Sequence, residues 1–96
     1  MISVRVRMLG ALREASGKAE EVLSFEGEVD VDRVIRGLIE EHGDALGTAL
    51  LDPVLRSPLP NALILLNGVE VNDLHGLGTR AGNGDTLTLI PVAHIG

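Results

Sequence analysis

The sequence contains no cysteine, no tryptophan and no tyrosine, one phenylalanine (Phe25) and one lysine (Lys18). Each shortage excludes something. Without cysteine there is no disulfide, no thiol nucleophile and no thiolate metal site. A single aromatic ring gives no stacking platform for bases. The formal charge of −6 opposes the phosphate backbone that a nucleic-acid binder must neutralise. Acidity of this size suits a basic protein partner, but chiefly it keeps a chain in solution. No apolar run approaches the ~20 residues of a membrane span. The opening Met1-Ile2-Ser3-Val4-Arg5-Val6-Arg7 alternates as a strand does and does not read as a signal peptide. These features predict a cytoplasmic protein with no nucleic-acid and no membrane partner.

What is present is aliphatic. Of 96 residues 45% are hydrophobic, and they are Leu, Val, Ile and Ala, enough for one domain with a modest core. Residues 2–9 alternate, with Ile2, Val4, Val6 and Met8 on one side and Ser3, Arg5 and Arg7 on the other, which predicts a half-buried strand. After Gly10, residues 12–17 read as a turn-bearing connection with Gly17 at positive φ. Residues 19–25, with Val22, Leu23 and Phe25, predict a second strand. Val31, Val34, Ile35, Leu38 and Ile39 form a helical stripe over residues 30–42. Asp30 is its expected N-cap and Gly43 its C-cap. Gly37 inside it costs up to about 1 kcal/mol relative to Ala, and suggests close packing on the sheet.

Residues 44–52 predict a short second helix stopped by Pro53, and residues 53–61 a loop, because its three prolines forbid a regular element. The apolar run 62–66, the Asn67-Gly68 turn and residues 69–71 predict a hairpin. Residues 72–82 read as irregular, anchored by Leu74 and Leu77. Asn83-Gly84-Asp85 is a turn, and residues 86–90 are the last strand.

The polar residues offer little catalysis. His42, His75 and His94 match no metal spacing. Glu20, Glu21, Glu26, Glu28, Asp30, Asp32, Glu40 and Glu41 read as solvated surface, without a pocket for acid–base work. Arg5 and Arg7 alternate out of a strand and suit an acidic partner or, more simply, a charged solvent face, whereas Arg13 reads as a structural residue of the connection that follows. Neither glycine turn has the spacing of a phosphate loop.

Four segments in order carry a family likeness. Val6-Arg7-Met8-Leu9-Gly10-Ala11-Leu12-Arg13-Glu14-Ala15-Ser16-Gly17, Leu65-Leu66-Asn67-Gly68, Leu74-His75-Gly76-Leu77 with Gly84-Asp85, and Ile90-Pro91-Val92-Ala93 resemble the MoaD/ThiS sulfur carriers and the related ubiquitin-related and small archaeal modifiers. The resemblance implies an α+β, ubiquitin-like β-grasp fold. Its sheet is mixed, with about five strands, and is crossed by one main helix with a short second helix. The domain would occupy residues 1–90 and a flexible tail residues 91–96.

The resemblance also implies a protein that is not itself an enzyme. A ThiF/MoeB-like activating enzyme, which uses ATP, would adenylate the C-terminal carboxylate of Gly96. The acyl group would then become a thiocarboxylate for molybdopterin synthesis or tRNA thiolation, or an isopeptide bond to a target-protein lysine. The large subunit of molybdopterin synthase is one implied partner. The chain itself would bind no cofactor. Partner contacts would fall on Ile90, Val92, Ala93, His94 and Ile95. By strand parity Leu87 and Leu89 point inward and Ile90 outward, as part of a docking patch or as an isolated exposed residue; several aliphatics gathered there would mark docking.

The family ends in Gly-Gly, whereas this chain ends His94-Ile95-Gly96. Ile95 is β-branched and stiff, where a channel built for glycine wants none of its bulk. An activating enzyme that tolerates Ile95, a non-conjugatable form, and a binding module without covalent chemistry all remain open. As Lys18 and the N-terminal amine would be the only amines for self-linkage, a chain-forming modifier is disfavoured.

Overall fold

The alternation of the first residues is realised in β1 (Ile2–Met8), where Val4, Val6 and Met8 are buried and Arg5 and Arg7 face solvent. The structure, a computed structural model, describes residues 1–92. Residues expected to form only a turn instead make α1 (Gly10–Ser16), which buries Leu12 and ends at Gly17, φ 76°, whose N–H donates to the Arg13 carbonyl. β2 (Glu20–Phe25) runs antiparallel to β1, from Ile2 opposite Phe25 to Arg7 opposite Glu20.

After β3 (Val29–Asp30) comes α2 (Val31–His42), which buries Val31, Val34, Ile35 and Leu38. The Asp30 carboxylate accepts from the Arg33 N–H at 2.8 Å, satisfying a donor that a helix start leaves unpaired. Gly43 ends the helix at φ 79° and donates to the Ile39 carbonyl. An ideal Cβ on Gly37 would stand 3.2 Å from the Phe25 ring, so the glycine lets the helix lie close against β2.

α3 (Asp44–Leu50) follows at once, burying Leu46 and Leu50. β4 (Ala62–Leu66) and β5 (Val69–Glu70) form the expected hairpin. Asn67 and Gly68 both have positive φ, 50° and 84°, as a two-residue turn of this hand requires. Residues 72–82 are more ordered than expected. They include 3-10 turns at Val71–Asp73 and Gly76–Gly78 and the strand β6 (Arg80–Ala81), which pairs with β3. Arg80, its pKa raised by the hydrogen bond to Glu28, caps that small ladder. Leu77 packs on the core as expected, but Leu74 is exposed.

β7 (Thr86–Pro91) closes the main sheet in the order β2-β1-β7-β4-β5. β1 and β7 are parallel neighbours, and every other pairing in this sheet is antiparallel. This is the mixed five-stranded β-grasp that the sequence predicts. Leu87 and Leu89 are fully buried at its centre, among Val4, Val6, Ile35 and Leu38. Burying one such side chain stabilises the fold by roughly 1.5–3 kcal/mol.

One acidic residue expected on the surface is not there. Glu21 shares its strand parity with Leu23 and Phe25, facing the helix. Its Oε1 lies 2.6 Å from His42 Nε2, with both side chains about a tenth exposed. Lys18 Nζ approaches the same carboxylate at 3.4 Å.

Candidate docking face and tail root

The helices cover one face of the sheet. The other face carries Glu20 and Val22 from β2, Arg5 and Arg7 from β1, Thr86, Thr88 and Ile90 from β7, and Leu63 and Leu65 from β4, by strand parity. Register places Arg7 beside Thr88, Thr88 beside Leu65, and Ile90 beside Leu63. Leu9 continues the outward parity of β1 in extended backbone (φ −114°, ψ 160°), next to Met8, whose partner is Leu89.

An apolar group therefore gathers at the end of the face where β7 leaves the sheet. Ile90 and Leu65 are half-buried, and Leu63, Leu9 and Val92 are 38%, 39% and 46% exposed. The expected outward position of Ile90 holds, and it does not stand alone. Leu63, Leu65 and Leu9 join it, although sequence reasoning passed over them. The run 62–66 is apolar throughout, so its outward members show only once register is known.

The strand's exit is held from both sides. Pro91 pairs with Ala62, and the Val92 N–H donates to the Asn61 carbonyl at 3.0 Å. Because Val92 donates toward β4, position 91 faces the side where β1 has already turned away, so proline there breaks no ladder bond. On that side the Leu9 N–H donates to the Leu89 carbonyl at 3.2 Å. Gly10 then turns at φ 51°, and an ideal Cβ there would stand 3.0 Å from Pro91 Cγ. Only glycine allows both the turn and the contact. Beside this exit, Arg7 and Arg13 line a shallow cleft of about 340 Å³ with Leu9 and Gly10. Among the described residues neither arginine has an ion-pair partner, whereas Arg5 pairs with Glu20 at 3.0 Å.

Of the expected site residues, Ile90 and Val92 thus lie at one edge of an apolar face. Ala93, His94, Ile95 and Gly96 lie outside the described residues. Among the described residues no three His, Asp or Glu side chains gather as a metal would need, and no helix is long and apolar enough to cross a membrane. His42 is engaged with Glu21, and the His75 N–H donates to Thr79 Oγ1.

A fold of this kind is found in proteins of known structure. The solution structure of small archaeal modifier protein 1 from Methanosarcina acetivorans is 27% identical, with a TM-score of 0.78 over 100% of this chain and 98% of that one. The Haloferax volcanii HVO 2177 protein is 26% identical, with a TM-score of 0.80 over 99% and 87%. The chain has the ubiquitin-like β-grasp fold and is similar to these small proteins. A further match, 24% identical with a TM-score of 0.71 over 97% of this chain and 99% of that one, is in the BexX/CysO complex of Amycolatopsis orientalis. No model of a protein family and no curated protein matches the sequence.

Proposed function

We propose that this β-grasp protein is a carrier of the MoaD/ThiS kind, which docks a ThiF/MoeB-like activating enzyme through its open sheet face and presents the carboxylate of Gly96 to it. The observation that supports this most is the placement of the apolar group: Leu63, Ile90, Leu9 and Val92 surround the exit of the strand that leads to Gly96. Residues 93–96 could span at most about 14 Å when extended. A partner seated on this patch therefore has its reaction centre within that reach. Arg7 and Arg13, unpaired beside the patch among the described residues, suit acidic groups on the partner's rim and would orient it.

The chemistry belongs to the partner. A carboxylate oxygen of Gly96 attacks the α-phosphorus of ATP and pyrophosphate leaves. A sulfur donor then displaces AMP, giving a thiocarboxylate. The sulfur acceptor would be molybdopterin synthase, with this chain as the small partner of its large subunit, or a tRNA-thiolating enzyme. Attack by a target lysine amine in place of sulfur would instead make the chain a modifier. That the similar chain of the Amycolatopsis structure is in a complex with a second protein is in keeping with a role exercised through partners. Ile95 favours a second reading, a module that docks through the same face without covalent chemistry.

The test is intact-mass spectrometry after incubation with an activating enzyme, ATP and a sulfur donor. A gain of one sulfur-for-oxygen exchange that disappears when Gly96 is deleted supports the carrier. No gain, while a Gly-Gly carrier reacts in parallel, leaves the non-covalent module.

A further inference from the structure

The loop between α3 and β4 exposes apolar side chains more fully than the sheet face does. Val54 and Leu55 are 85% and 67% exposed. The loop that holds them is tied down. Asp52 Oδ2 accepts from the N–H groups of Val54 (3.0 Å) and Leu55 (2.7 Å). The Asp52 carbonyl accepts from the Arg56 N–H, and the Asp52 N–H donates to the Ser57 carbonyl. Arg36 Nη2 reaches the Arg56 carbonyl at 3.4 Å. Arg56 sits at φ 56°, a region that residues with side chains rarely adopt. Ordered, strained backbone that holds two aliphatics in water is preorganised for contact.

Next to this knob is a cleft of about 450 Å³ in the helical layer, where Ile39, Gly47, Leu51 and Pro53 meet Asp44 and Arg56. Among the described residues neither Asp44 nor Arg56 has an ion-pair partner within the chain. We propose that this surface binds a second copy of the same chain, with Val54 and Leu55 of each copy seated in the cleft of the other. Knob and cleft are adjacent, so one two-fold axis satisfies both at once, as an isologous dimer requires. The charges fit the same operation. Whatever carries Leu55 into the facing cleft carries Arg56 in beside it, toward the partner's Asp44, and the pair forms twice. The open sheet face lies on the other side of the sheet and stays free.

Sedimentation equilibrium of the full chain over a range of concentrations tests this. The mass should rise from 10.1 kDa toward twice that value and no further. Val54→Asp with Leu55→Asp should hold it at the monomer value, with an unchanged circular dichroism spectrum because both side chains are exposed. Asp44→Arg should weaken the dimer about tenfold or more, since it opposes like charges at two places, and adding Arg56→Asp should restore it. Leu63→Thr with Ile90→Thr on the sheet face should leave association unchanged. A monomer at every concentration, open-ended growth, a dimer indifferent to the loop variant, or a charge swap that does not restore association would overturn the proposal.

Discussion

Leu63 of β4 lies directly opposite Ile90 of β7, on the face that no helix covers and at the end where the chain leaves the sheet. If this pair is the centre of the docking patch, replacing both by Thr should weaken partner binding without unfolding the domain. Thr already occupies positions 86 and 88 on the same face of β7 and keeps the β-branched shape that strands favour. The expected outcome is a loss of about tenfold or more in affinity, the ~1.4 kcal/mol or larger effect of a central interface residue. Calorimetric titration against the activating enzyme reads the affinity and thermal melting reads the fold. Equal affinity would remove this face from the docking site.

Leu87 and Leu89 have the opposite role. Both are wholly buried at the centre of the sheet, so Leu87→Ala should cost about 2–5 kcal/mol in denaturant unfolding, transfer and cavity effects together. Deleting Gly96 should leave the same unfolding curve unchanged. A near-neutral Leu87→Ala would contradict the parity argument that also places Ile90 outward.

Much of this was legible where the pattern is local. The α2 stripe and its Asp30 and Gly43 caps, the alternation of β1, the Asn67-Gly68 turn and the outward parity of Ile90 all follow from neighbours in sequence. What escaped depends on distant partners or on segments too short to show a period. α1 buries only Leu12, too little for a stripe. β3 and β6 are two-residue strands that meet across some fifty residues. Leu74 looks like an anchor because it is Leu, yet it is exposed. Glu21 looks like surface because it is Glu, although its parity with Leu23 and Phe25 signalled the inner face. The outward position of Leu63 needed the register with β7, which no local pattern supplies.

The contact of Glu21 with His42 should be measurable as coupling. It ties the end of α2 to β2 at 2.6 Å with little exposure of either group. Removing Glu21 leaves His42 shielded and without this partner, a loss of about 1–3 kcal/mol, whereas removing His42 leaves Glu21 with Lys18 at 3.4 Å. In a double-mutant cycle of His42→Ala and Glu21→Ala, the two single losses should therefore sum to about 0.5–3 kcal/mol more than the loss in the double mutant. Additive losses would show that the contact contributes only packing.

Gly10 controls the exit of β7. Gly10→Ala must place a Cβ at φ 51° and 3.0 Å from Pro91 Cγ. The left-handed backbone alone costs a side-chain-bearing residue about 1–2 kcal/mol. The contact should also push Pro91 off its register with Ala62. Hydrogen exchange at the Val92 amide, which donates to the Asn61 carbonyl, should speed up more than exchange at the Leu87 amide. Uniform acceleration would mean that the variant lowers global stability and leaves the exit itself unaltered.

Ile95 decides between the covalent and non-covalent readings. A tail that enters an activating enzyme must bring its carboxylate to ATP through a passage shaped for residues without side chains. Glycine can adopt the backbone conformations such a passage imposes, whereas Ile carries a branched Cβ that restricts both φ/ψ and χ1. Ile95→Gly is therefore expected to raise the rate of adenylation by a Gly-Gly-type activating enzyme, while docking through Leu63 and Ile90 stays constant because the face is untouched. Pyrophosphate release measures the first and titration the second. A faster rate at equal affinity would show that Ile95 restrains the chemistry and not the docking. An unchanged rate at equal affinity would show that Ile95 is not the obstacle.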